Sequence, residues 1–237
     1  MARILNIETS TEICSVAISE NGVCTALKIS DNTLIHDQKS GSHSKLLAIF
    51  IKEILDENKL IPKDLDAVAI SAGPGSYTGL RIGVSTVKGF CFGADIPLIA
   101  INTLQLIAAM VKQKTNENYN FYIPMIDAKR MEVYCALFDN NLNMNGNIEA
   151  KIIDENSFAE LKNQKTVICG NGAEKCKIIL QDSNFSFSEN TYPSAEYMGS
   201  FAEIAFLENN FVDLVYFEPY YLKDFIATTP KNKFITN

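Results

Sequence analysis

Apolar residues run through Ile4, Leu5 and Ile7, a polar cluster follows, and alternation resumes from Ile13 to Ile18. This pattern predicts a strand, a tight turn and a second strand. A second copy lies at 123–137 (IPMIDAKRMEVYCAL), which overlays 4–18 (ILNIETSTEICSVAI) without a gap. Ile4 then meets Ile123, Ile7 meets Ile126, Glu8 meets Asp127 and Ala17 meets Ala136. A carboxylate ends the first strand in each copy. Residues 68–75 form an apolar strand running into Gly-x-Gly, and residues 166–172 form another. The repeat predicts a duplicated α/β unit: hairpin, strand, helix, Gly-x-Gly strand, helix.

Helical spacing is clear at 44–58, where Leu47, Phe50, Ile51, Ile54 and Leu55 make a broad apolar stripe. Ser42 or Ser44 can cap its start. Further helices are predicted at 79–93, at 103–112 with Thr103 as cap, and at 194–208 with Met198, Phe201, Ala202 and Ala205 on one side. The polar loop 112–120 separates the halves. The expected organisation is a first lobe at 1–110, a second at 111–227, and a tail at 228–237 with little apolar content beyond Phe234 and Ile235.

Between strand and helix lies AGPGSYTGLRIG, residues 72–83. Gly73 and Gly75 let the chain turn, Pro74 stiffens it, and the following helix offers free N–H groups to an anion. A phosphate loop of the Walker type needs Lys and then Ser or Thr after its last glycine, whereas Gly79 is followed by Leu80 and Arg81. The spacing of Gly73, Gly75 and Gly79 also misses GxGxxG, so a structural turn is the favoured reading. The helix itself carries Gly79 and Gly83 one turn apart, and then Ser85, Gly89 and Gly93. Each interior glycine costs about 1 kcal/mol relative to alanine. A smooth face for close helix packing, with Val84, Val87 and Phe90 beside it, accounts for that cost. The packing partner is the 44–58 helix, a helix of another chain, or both at once.

Composition narrows the function classes. The 237 residues suit two small domains, and 47% hydrophobic content can fill their cores. A net charge of −7 argues against a free-standing nucleic-acid binder, though not against a subunit whose partner supplies the basic groove. The six cysteines, at 14, 24, 91, 135, 169 and 176, form no CxxC pair and read as reduced and mostly buried. His36 and His43 are the only histidines and fit neither HExxH nor HxxxH, so no metal site is expected. No GxSxG elbow is present, and no catalytic residue is assigned. The apolar runs are short, and Glu8 interrupts the first of them, so a cytoplasmic protein without membrane contact is expected.

With those residues in view, the chain resembles the TsaB (YeaZ) family, proteins that help to make threonylcarbamoyladenosine on tRNA. The matching strings are 4–18, 43–47 (HSKLL), 72–89 (AGPGSYTGLRIGVSTVKG), 124–134 (PMIDAKRMEVY), the Gly170-Asn171-Gly172 turn and 219–223 (PYYLK). They span nearly the whole chain, and the long glycine motif is the most specific. Lys129 stands where Arg is more common, and Tyr77 where Phe is; both keep the residue type.

The resemblance implies a duplicated actin-like, ribonuclease-H-like fold of two lobes. The catalytic relatives of the TsaD family hold a metal through HxxxH, and the counterparts here look like Thr103 and Ile107, which cannot. The implied role is a non-catalytic scaffold that binds TsaD, with the ATPase TsaE joining, tRNA reached through the complex, and a homodimer when alone. A glycoprotease-like peptidase or an ATP-binding, kinase-like enzyme is the alternative.

The family's partner surface falls on the two first-lobe helices, that is, on Leu47, Phe50, Ile51, Ile54, Gly79, Gly83, Val87 and Phe90. Gly83→Leu or Ile51→Asp is then expected to break dimers and leave folded monomers. Glu8, Thr9, Ser10, Thr11, Gly73, Gly75 and Ser76 form at most a vestigial phosphate loop. Actin-like and hexokinase-like relatives carry Asp-x-Gly there, and this loop has no glycine. No cofactor of its own is expected, with ATP bound weakly at most. Lys129 and Arg130 are left open as contacts to tRNA or to a partner.

Overall fold

The computed structural model describes residues 2–30, 43–180, 185–188 and 191–223. His36, Ser42 and the expected tail at 228–237 lie outside the described residues.

The first lobe holds β1 (Arg3–Glu8), β2 (Ser15–Glu20), β3 (Val23–Ile29), α1 (His43–Glu57), β4 (Ala67–Gly73), α2 (Tyr77–Ala94), β5 (Leu98–Asn102) and α3 (Thr103–Lys114). The second holds β6 (Phe121–Asp127), β7 (Glu132–Asp139), β8 (Met144–Ile152), β9 (Thr166–Cys169), α4 (Ala173–Lys177) and β10 (Ser186–Ser188), and α5 (Gly199–Leu207) follows. The sheets order as β3-β2-β1-β4-β5 and β10-β9-β6-β7-β8. Read from opposite edges these are one arrangement. In each, three antiparallel strands continue into two parallel ones. The expected duplicated actin-like fold is what forms.

The gapless overlay of the halves is wrong by one residue on the first strand. Leu5 and Ile7 face the core under α1 and α2, and Ile4 faces the other side. In the second lobe Ile123 and Met125 face the α4 side, and Tyr122 and Ile126 the other. The structural counterparts are therefore Leu5 with Ile123 and Ile7 with Met125. A one-residue slip in a strand reverses every face. Ile7 pairs with Val16 and Met125 with Cys135, so the second hairpin is one residue longer and the match of Ala17 with Ala136 is restored.

The helices exchange lobes. In α3, Leu104, Ile107, Ala108 and Val111 pack on the second sheet against Tyr122, Ile126 and Phe138. Leu106 turns back toward the first sheet. Met198 and Ala202, at the start of α5, pack on the first sheet against Ile4, Ala17 and Ile99. The expected boundary at 110/111 thus falls inside α3, and residues 195–207 complete the first lobe.

Local chemistry sets the helix ends. Ser76 caps α2, its Oγ accepting from Gly79 N at 3.3 Å. Asn102, not Thr103, caps α3, its Oδ1 accepting from Leu104 N at 2.8 Å and Gln105 N at 3.1 Å. Thr103 is buried, and its Oγ1 accepts from Gly73 N at 3.1 Å. The predicted 194–208 helix is divided: a 3-10 turn at Ala195–Tyr197 precedes α5.

After α5 the chain forms a strap. Val212 N donates to Leu98 O at 2.9 Å, and Tyr220 N to Ala72 O at 2.7 Å. Lys88 of α2 donates to Val215 O at 2.8 Å and Phe217 O at 3.1 Å. Lys223 then pairs with Glu132 of the second lobe. Among the described residues no helix is long and apolar enough to cross a membrane.

Candidate functional site

The turn after β1 and the turn after β4 meet at the mouth of the lobe junction. This brings Glu8, Thr9, Ser10 and Thr11 together with Gly73, Gly75 and Ser76. All four residues of the first set are buried. Ser10 N donates to Glu8 Oε1 at 2.5 Å. Burial pushes the Glu8 carboxyl up to about 7, opposed by the Ser10 hydroxyl and N–H. Its second oxygen has no hydrogen-bond partner among the described residues.

The two turns touch backbone to backbone. Ser76 N donates to Ser10 O at 2.6 Å. A methyl group on Gly75 would overlap Ser10 O, and one on Gly79 would overlap Thr9 O. Gly83 lies against the Thr9 hydroxyl and Ile70. Gly75, Gly79 and Gly83 therefore serve close approach of α2 and the turn before it to the hairpin of the same chain. A phosphate group cannot enter between the turns unless the hairpin moves. Gly73, with φ of 110°, is covered by the carbonyl of Tyr220, 2.7 Å from where a methyl would sit.

A cleft of about 390 Å³ opens outside these turns. Ser10, Thr11, Ser76 and Tyr77 line one wall. His43 closes one corner, its Nε2 2.8 Å from Thr11 O. The opposite wall comes from the second lobe, through Asp127, Lys129, Tyr134 and Asn171. Asn171 links the walls, with Oδ1 accepting from Asp127 N at 3.1 Å and Nδ2 donating to Glu12 at 3.2 Å. Lys175 donates to the Asp127 carboxylate, to Arg130 O at 2.8 Å and to Glu132 O at 2.7 Å. Burial raises the Asp127 pKa, but Lys175 and the Lys129 N–H outweigh it and hold the carboxyl below its ordinary value. Asn171 was legible as part of a Gly-x-Gly turn. Tyr134 lies within the family-like string 124–134, whereas Lys175 carries no local signal.

Of the residues expected on a partner surface, six are spent inside the lobe. Leu47, Ile51, Ile54 and Val87 are core, and Gly79 and Gly83 are buried against the hairpin. Phe50 and Phe90 pack partly onto the same core. Gly83→Leu and Ile51→Asp would accordingly damage the fold and not merely an interface. The free side of these helices carries other residues: Ile49, Phe92 at 82% exposed, and Gly89 and Gly93 with open space beside them. Thr103 and Ile107, the positions that the family resemblance sets against metal-holding histidines, are both fully buried, Ile107 in the core between α3 and the second sheet. Among the described residues no three His, Cys, Asp or Glu side chains cluster as a metal site would require.

Comparison with known proteins fits this geometry. The family model of TsaD, tRNA N6-adenosine threonylcarbamoyltransferase, matches residues 34–230. The tRNA threonylcarbamoyladenosine biosynthesis protein TsaB of Haemophilus influenzae is 29% identical over 93% of each chain. The tRNA threonylcarbamoyladenosine biosynthesis protein TsaB of Buchnera aphidicola subsp. Acyrthosiphon pisum is 31% identical over 70% of this chain and 73% of its own. The solved structure of YeaZ from Pseudomonas aeruginosa shares the fold, with a TM-score of 0.76 and 23% identity over 94% of this chain and all of that one. The chain belongs to the TsaB (YeaZ) family of tRNA threonylcarbamoyladenosine biosynthesis proteins, within the wider family of the threonylcarbamoyltransferase TsaD.

Proposed function

We propose that this chain is a non-catalytic subunit that binds a TsaD-type catalytic subunit and activates threonylcarbamoyl transfer to tRNA. The observation that carries the reading is the closed turn-to-turn contact. Ser10 O accepts from Ser76 N, so one of the N–H groups at the start of α2 that an anion would need is already spent. The burial of Thr103 and Ile107 supports it too, because the Thr103 hydroxyl is taken by Gly73 N and Ile107 is committed to packing. In this reading the chain has no cofactor of its own and binds ATP weakly at most.

The docking face is the solvent side of α1 and α2, centred on Ile49, Phe92, Gly89 and Gly93, with Phe50 and Phe90 at its base. Exposed aromatic and aliphatic groups beside a helix stripe without side chains suit a second pair of helices. The same face serves a homodimer when the chain is alone, and a TsaE-type ATPase joins the assembled complex. tRNA is reached through that complex.

Reconstitution tests the reading. The purified chain alone should not modify tRNA. Mixed with the catalytic subunit, the ATPase, ATP and threonylcarbamoyl adenylate, it should restore modification. No restoration, or modification by the chain alone, would sink the proposal.

A further inference from the structure

The second-lobe turn between β6 and β7 is built at a conformational cost. Lys129 has φ of 71° and Arg130 φ of 52°, two consecutive left-handed positions that glycine would occupy with less strain. Strain retained by a non-glycine side chain points to a use for that side chain.

The turn is also held rigid. Lys129 N donates to Asp127 Oδ1 at 2.9 Å, and Ala128 N to Glu132 O at 3.1 Å. Lys175 fastens both limbs and the turn between them, through the Asp127 carboxylate, Arg130 O and Glu132 O. The flanking acids are already matched, Asp127 with Lys175 and Glu132 with Lys223. Glu12, hydrogen-bonded to Asn171, lies across the cleft. Lys129 and Arg130 are exposed, and among the described residues neither side chain forms a hydrogen bond or ion pair. Two adjacent cations thus stand on a stiff base whose nearest acids are paired with lysines, with the Lys129 charge also felt by Asp127 and with Glu12 across the cleft, on a chain whose net charge is −7.

We infer that this turn is a contact for an RNA phosphate backbone, placing the second lobe against the tRNA of the assembled complex. An acidic chain cannot bind RNA broadly, so a useful contact must be local and pre-set. Two adjacent side chains with multiple donors suit one or two phosphates. Lys175 acts as a positioning residue, since its own charge is spent on Asp127. The inference rests on the reading that the chain works inside a tRNA-modifying complex.

The test uses the double variant K129G/R130G in the full chain, assembled with the catalytic subunit, and titrates unmodified tRNA at several salt concentrations. Glycine suits both backbone positions, so the melting temperature should hold or rise. Affinity for tRNA should fall about tenfold near physiological salt, and the slope of log affinity on log salt should shrink by about 1 to 2. K175M should weaken tRNA binding with the slope nearly unchanged, because the cations remain but are no longer fixed. Unchanged affinity and slope in K129G/R130G would overturn the inference. So would loss of the catalytic subunit from that variant, which would make the turn a protein contact. Failure of the unaltered chain to bind the catalytic subunit is a separate result and would refute the proposed function instead.

Discussion

Glu8 and Asp127 each end the first strand of a lobe, yet they point to opposite faces of their sheets. Glu8 shares its face with Ile4 and the α5 side, sealed from solvent. Asp127 shares its face with Met125 and the α4 side, where Lys175 meets it. The one-residue slip between the halves separates them, and their chemistry diverges as a result.

For Glu8, the folded carboxyl titrates near 7 against an ordinary 4.5. A carboxyl that holds its proton better when folded stabilises the fold most below its unfolded value. Its contribution is lost as pH rises from about 4.5 to about 7. The full loss is roughly 3 kcal/mol. Glu8→Gln keeps the acceptor for Ser10 N and should flatten that part of the stability curve. Denaturant unfolding of both proteins between pH 4 and 8 measures the difference, and parallel curves would contradict the burial argument.

Asp127 has the opposite sign. Its folded pKa is depressed, so its contribution is present above the ordinary 3.8 and is lost as pH falls through the lower, folded value. Lys175→Met leaves Asp127 and two carbonyls without their donor and should cost about 1–3 kcal/mol at neutral pH. The deficit should narrow in acid as Asp127 takes up a proton. A deficit independent of pH would mean that the ion pair contributes nothing.

Two glycines of α2 should respond in opposite ways to the same substitution. Gly79→Ala sets a methyl into Thr9 O and should destabilise by about 1–3 kcal/mol or more, because backbone cannot rotate aside. Gly89→Ala meets open space and should stabilise the isolated chain by up to about 1 kcal/mol through helix propensity. Thermal melts decide this. A tolerant Gly79 would mean that hairpin and helix are not in contact.

The docking face calls for surface substitutions. Phe92→Asp and Gly89→Leu should leave the melting temperature within a few degrees and weaken binding to the catalytic subunit by tenfold or more, about 1.4 kcal/mol or above. Gly83→Leu should lower the melting temperature itself. Calorimetric titration with melts of each variant separates the two effects, and full binding by Phe92→Asp would move the interface elsewhere.

Lys88 pins the strap by two carbonyls. Lys88→Ala should speed amide exchange at Val215 and Phe217 while β4, beneath, stays protected. Unchanged exchange at those two residues would show that Val212 and Tyr220 suffice to hold the strap.

Periodicity and turn chemistry determined much of this protein. The duplicated unit, the strand and helix faces, the Ser76 turn and the lack of a Walker lysine all follow from local residue order, because side-chain alternation and φ preference act over a few residues. Local order could not settle the register between the halves, since a one-residue slip leaves the hydrophobic count of a short strand almost unchanged. Nor could it show that α3 and α5 each cover the other half's sheet. It could not tell a helix stripe that faces its own hairpin from one that faces a partner: Gly79 and Gly83 read like Gly89 and Gly93 until the Thr9 carbonyl is placed. Lys175 became a hub only when α4 was laid against a turn more than forty residues earlier. These were decided by long-range packing, where what a residue does depends on which distant atoms close around it.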